Sequence, residues 1–176
     1  MRTSSLKLAN TFTAKENHKQ ALAGVRVIDN VILATDTHRA VRITEKENSI
    51  HIPDSLNEQF PELTDKKVEV NLPTLYHLAK LAVEMTTDKK RSVIYFWKDT
   101  VSYLNEHNYY QEMVLKNPFK LSNVKLNAQY LLSATKELMK RGFRNIDVEQ
   151  KMPHDPFLMI AENAIEKIEI IIMPIK

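Results

Sequence analysis

A short polar turn, Asp36-Thr37-His38-Arg39, stands between the apolar runs Val31-Ile32-Leu33-Ala34 and Ala40-Val41. Its imidazole and guanidinium sit side by side where two extended segments meet, an arrangement that can orient a bound polar group. Catalysis asks for more. The chain has no cysteine, so thiolate nucleophiles, disulfides and thiolate metal sites are excluded, as a reducing cytosol would allow. The histidines, His18, His38, His51, His77, His107 and His154, never fall at metal-ligand spacing. There is no G-x-S-x-G elbow, no H-E-x-x-H and no glycine-rich phosphate loop. No catalytic residue, metal or cofactor is therefore expected. As residues alone, Asp36 to Arg39 read either as a recognition point or as a solvated turn in which Asp36 bonds to the backbone.

The elements that hold this turn follow from pattern. At 176 residues and 43% apolar content the chain can bury a real core. No apolar run approaches the roughly 18 residues of a membrane span, and Met1 to Ser5 lead into nothing of signal-peptide length. A soluble, cytoplasmic protein without membrane contact is expected. The net charge of +3 is too small to argue nucleic-acid binding by itself. It is unevenly spread: residues 1–46 carry +4, residues 47–118 carry −3 and residues 119–176 carry +2. Such an imbalance is ordinarily a property of solvated faces.

Only Gly24 and Gly142 punctuate the chain, so turns are read from Pro, Asn and Asp. Val68-Glu69-Val70-Asn71 is extended and leads, through Pro73, into a helix with Leu75, Leu78, Ala79, Ala82 and Met85 at spacings of three and four. Strands at Ser92–Trp97, Thr100–Leu104 and Tyr109–Leu115 follow. The order recurs from Val124: strand to Leu126, helix Ala128 to Met139 capped by Asn127 and ended at Gly142, then strands near 145–149, 157–161 and 166–173. An earlier copy has a short helix, Leu6 to Phe12, and strands at 24–28, 31–35 and 39–44, with no clear opening strand. The fold class expected is α+β, three βαβββ units with helices packed on curved antiparallel sheets. Residues 52–62 read as a connecting loop or helical turn.

Three segments carry a family resemblance: Ala34-Thr35-Asp36-Thr37-His38-Arg39-Ala40, Leu126-Asn127-Ala128-Gln129-Tyr130-Leu131-Leu132 and Met173-Pro174. In this order they resemble the bacterial sliding clamp, the beta subunit of DNA polymerase III. Residues 18–44 look like the first half of the clamp's middle domain, 68–115 its second half, and 124–176 the last half of its third domain. Thr37 stands where the family has a turn glycine, Ala40 where it has a larger apolar residue, and Lys176 where it has arginine. The resemblance implies a complete clamp-like domain over residues 1–118, a half-domain over 119–176, and an abbreviated homologue of phage or prophage type.

It also implies a role: a non-enzymatic DNA-replication accessory protein, or alternatively a clamp-fold decoy that does not encircle DNA. The implied peptide-binding residues are His38, Arg39, Ala40, Leu72, Pro73, Met173, Pro174 and Ile175, with linear motifs of polymerase or other replication proteins as ligands. Met173 would form a soft apolar wall, or equally be core, and Pro174 would set the chain's course without a ladder bond. Lys7, His77, Lys80, Lys136, Lys140 and Arg141 are the implied contacts to the backbone of double-stranded DNA, weak and non-specific because Glu84 and Glu137 dilute them. An uncovered sheet edge would favour a homo-oligomer. In Tyr95-Phe96-Trp97, strand alternation places Tyr95 and Trp97 on one face and Phe96 on the other. That segment reads as structural rather than as a base-stacking site.

Overall fold

The computed structural model describes residues 2–14, 24–46, 67–115, 124–150, 152 and 154–175. The 52–62 connection and the proposed family match at residues 18–23 lie outside them. The element order is α1 (Thr3–Asn10), β1 (Arg26–Ile28), β2 (Val31–Thr35), β3 (Arg39–Glu45); then β4 (Val68–Asn71), α2 (Leu72–Glu84), β5 (Val93–Trp97), β6 (Thr100–Leu104), β7 (Tyr110–Val114); then β8 (Val124–Asn127), α3 (Ala128–Lys140), β9 (Asn145–Glu149), β10 (Phe157–Glu162) and β11 (Glu166–Ile172). This is the expected succession of three repeats, with strands that pair antiparallel and a first repeat that shows no opening strand among the described residues. The first helix sits a turn earlier than its apolar spacing suggests. Thr11 and Phe12 close it by donating to the carbonyls of Leu8 and Ala9.

The chain divides into two compact bodies, Met1–Leu63 with Leu158–Ile171, and Thr64–Phe157 with Ile172–Lys176. This differs from the boundary expected after residue 118. The physical reason is strand exchange between the second and third repeats. β4 pairs antiparallel with β9, Val70 opposite Ile146, and β5 pairs with β8, Ile94 opposite Leu126. Each repeat's opening strand thus completes the other's sheet, and neither half stands alone.

In the second body the exchange produces a near-twofold arrangement. Leu72 N donates to Arg144 O, and Ala128 N donates to Ser92 O, so both helices are tied at their first residue to the strand of the other repeat. Asn71 and Asn127 occupy matching N-caps. Asn71 Oδ1 accepts from Thr74 N at 3.1 Å, and Asn127 Oδ1 accepts from Gln129 N at 2.9 Å. α2 buries Leu72, Leu75, Leu78, Ala79, Ala82 and Val83; α3 buries Ala128, Leu131, Ala134, Thr135 and Leu138. The helices pack side by side, and the small residues at Ala79, Ala82 and Ala134 allow close approach. Below them, Phe96 meets Phe157 with ring centroids 4.7 Å apart. The four-stranded sheet runs β7-β6-β5-β8.

In the first body β1, β2, β3, β11 and β10 are neighbours in that order. Val31, Leu33, Leu158, Ile160 and Ile171 form an apolar cluster, with Ala40 packed against it. Each large aliphatic side chain buried in this way stabilises by roughly 1.5–3 kcal/mol. A buried ion pair crosses between β3 and β11: Arg42 Nη2 donates to Glu169 Oε1 at 2.8 Å and Arg42 Nε to Oε2 at 2.5 Å.

Candidate functional site

His38, Arg39 and Ala40 belong to the first body; Leu72, Pro73, Met173, Pro174 and Ile175 belong to the second. In the first, the β2–β3 turn is organised by Asp36. Its Oδ1 accepts from the amides of His38 (3.1 Å) and Arg39 (3.0 Å), and its Oδ2 accepts from Arg39 Nε at 2.8 Å. Thr37, in the place of the family's glycine, has φ 78°, a left-handed conformation that is uncommon for a β-branched side chain. His38 is exposed at the tip.

Arg39 is a committed residue. Its Nη2 donates to Thr11 O at 2.7 Å and its guanidinium lies 4.8 Å from the centroid of the buried Phe12 ring. It therefore caps the carboxyl end of α1, where a cation is favoured by the helix dipole, and stacks on an aromatic face. Only 11% of its side chain is exposed. Sequence reading assigned Arg39 as a polar contact for a ligand; the geometry assigns it first to holding the turn against α1. Nothing in the spacing of Arg39 and Phe12 announces this contact, because it joins residues far apart in the chain.

In the second body, Leu72 has no exposed surface and is core, whereas Pro73 is half-buried on the first turn of α2. Proline suits that position because its missing N–H is one the helix cannot use. Beyond β11, Met173 is 42% exposed and so is not core. Pro174 makes no ladder bond, and Ile175 N then donates to Lys125 O at 2.8 Å, fastening this segment to β8. Met173 and Ile175 thus present apolar surface on a backbone held in place on both sides of the proline.

The implied DNA contacts are placed on exposed helix faces. Lys7 is on α1, His77 and Lys80 on α2, and Lys136 and Lys140 on α3, with half-buried Arg141 as that helix's C-cap. Lys80 lies 3.7 Å from Glu84, and Lys140 lies 2.6 Å from Glu137, which offsets part of the positive charge. A cleft of about 380 Å³ that sequence reading did not anticipate lies beside β7, lined by Glu69, Asn71, Thr74, Glu112, Met113, Val114, Leu115 and Asn145. No group of three or more potential metal ligands occurs among the described residues.

Paired repeats with exchanged opening strands and two side-by-side helices define an α+β fold, and solved structures similar to it in fold are bacterial DNA polymerase sliding clamps. The chain is similar to the Bacillus subtilis sliding clamp at 15% identity and TM-score 0.74, over 98% of this chain and 61% of that one. It is similar to the Helicobacter pylori beta clamp in complex with diflunisal at 15% identity and TM-score 0.73, over 98% and 63%. The same H. pylori clamp bound to a DNA ligase peptide gives 15% identity and TM-score 0.71, over 98% and 62%. At such identities the likeness is one of fold, and the chain spans under two thirds of the length of these clamps. No protein-family model and no curated protein matches the chain.

Proposed function

We propose that this protein is a non-enzymatic DNA-replication accessory protein of sliding-clamp type, acting in the cytoplasm and binding linear peptide motifs of polymerase or other replication proteins. The observation that carries the reading is the fold likeness over 98% of the chain to clamps, one of which is bound to a DNA ligase peptide. Met173, Ile175 and Pro73 of the second body supply the apolar surface for the peptide's anchors; within the first body Arg39 acts by holding the turn at whose tip His38 is exposed. Lys7, His77, Lys80, Lys136, Lys140 and Arg141 make weak, salt-sensitive contacts to duplex DNA. Self-association proceeds through β7, the last strand of its sheet among the described residues.

Titration of clamp-binding peptides by fluorescence anisotropy tests the reading. Met173→Ala and Ile175→Ala should weaken binding, since a few apolar anchors dominate such contacts. Unchanged affinity in both variants would remove the peptide site. The competing reading, a clamp-fold decoy, predicts a discrete complex with a host clamp or clamp loader and no retention on circular DNA. Salt-sensitive retention on circular DNA favours the replication reading.

A further inference from the structure

The outer face of the four-stranded sheet carries chemistry that neither the core nor the clamp reading uses. Register places its residues. Tyr95 lies opposite Ser102 on one side and Lys125 on the other, Trp97 lies opposite Thr100, and Ser102 lies opposite Glu112. Phe96 points the other way, into the core against Phe157. Tyr95, Trp97 and Tyr110 therefore share one face across β5 and β7. Trp97 is 45% and Tyr110 54% exposed, and a soluble protein rarely leaves such rings in water without a use for them. Their orientation is supported: the Tyr110 hydroxyl donates to Glu112, and Lys125 Nζ sits 5.9 Å from the Tyr95 ring centroid.

A basic stretch lies at the Val93 end of this face. Lys89, Lys90 and Arg91 form an exposed 3-10 turn just before β5, and Asn127 Nδ2 donates to Lys90 O at 3.1 Å, tying that turn to the end of β8. With Lys125 on β8, four cations border the aromatic face. Asp88 lies 3.3 Å from Arg91 and Glu112 accepts from Tyr110, so these two carboxylates are engaged within the rim and face.

We propose that this face binds single-stranded nucleic acid, its bases stacking on Trp97, Tyr95 and Tyr110 and its phosphates running along Lys89, Lys90, Arg91 and Lys125. Charge complementarity selects a polyanion, and exposed rings select one whose base faces are free. A duplex hides those faces, so this site is separate from the helix-borne cations. It does not depend on the peptide-binding reading.

Trp97 is the only tryptophan, so its emission reports on the site directly. Oligo(dT) should quench it, with an affinity that falls steeply with salt, by about 0.7 in log–log slope per phosphate neutralised. Trp97→Ala should weaken binding of labelled oligo(dT) about tenfold, Trp97→Phe less, and Lys89→Glu/Lys90→Glu should lower both affinity and salt slope. Lys67→Glu, at an exposed lysine before β4 in the other sheet, should leave oligo(dT) binding unchanged. Circular dichroism establishes that each variant is folded. Absence of quenching in the wild type, unaltered affinity in Trp97→Ala, or loss of binding only in Lys67→Glu would overturn the proposal. Trp97 emission that shifts with protein concentration alone and ignores oligo(dT) would do so too, making the face a contact between copies.

Discussion

Two residues of the first body bear conformational and electrostatic cost. Thr37 holds φ 78°, where a non-glycine residue costs about 1–3 kcal/mol; its amide donates to Thr35 Oγ1 at 3.3 Å, a bond any residue can make. Thr37→Gly relieves the clash but adds about 0.5–1 kcal/mol of unfolded-state entropy, so a net gain of about 1 kcal/mol is expected, read from the urea midpoint. A lower midpoint would show that the threonine is not strained. Glu169 is nearly inaccessible. Burial pushes its carboxyl pKa up, but the hydrogen bonds and charge of Arg42, with Lys167 3.1 Å away, outweigh burial and hold it below its ordinary value of 4.5. A depressed carboxylate contributes stability that is full above that ordinary value and is lost as pH falls through the folded value. Glu169→Gln leaves Arg42 buried beside a neutral amide and should cost about 3 kcal/mol, whereas Arg42→Met/Glu169→Leu should cost far less. Between about pH 5 and pH 3 the double variant should also lose stability less steeply than the wild type. Equal acid slopes would remove Glu169 from the account.

Among the elements, the matching caps of α2 and α3 show how local sequence and tertiary pairing cooperate. Val68-Glu69-Val70-Asn71 and Val124-Lys125-Leu126-Asn127 each end an alternating strand on an asparagine that turns the backbone into a helix. Removing either side-chain acceptor exposes helix N–H groups without a partner. Asn71→Ala and Asn127→Ala should each destabilise by about 1 kcal/mol. Both residues lie in the second body, so hydrogen exchange should show the loss there, at the amides of α2 and α3. A loss confined to the substituted helix alone would mean that the two helices do not unfold together. These helices and strands were legible because their periodicity is strong; the start of α1 was not, since its buried residues Ser5, Leu8 and Ala9 span too short a run to establish a period.

For the whole molecule, edges decide behaviour. β7 ends its sheet among the described residues and carries no lysine or proline, the usual protections of an open edge; Val114 there is largely exposed. Light scattering at high micromolar concentration should give a mass above the monomer, and Val114→Lys should return it to the monomer mass. A strict monomer in the wild type would sink edge association.

The repeat order, the strand and helix faces, the Asn127 cap and the absence of catalytic motifs were determined by sequence alone, because each depends on spacing within a few residues. Alternation in β5 already assigned Phe96 to one face and Tyr95 with Trp97 to the other. Tertiary structure decided what lies beyond such spacing. Only the pairing of β4 with β9 and of β5 with β8 shows that the second repeat shares a body with β8, α3 and β9 of the third, displacing the boundary expected after residue 118. Only folding brings Thr11 and Phe12 to Arg39, which occupies the guanidinium, and brings the Lys89–Arg91 turn to the end of β8 beside an exposed aromatic face. Hydrogen bonds and ring contacts between residues distant in the chain leave no period in the sequence, so these pairings become visible only when the strands are in register.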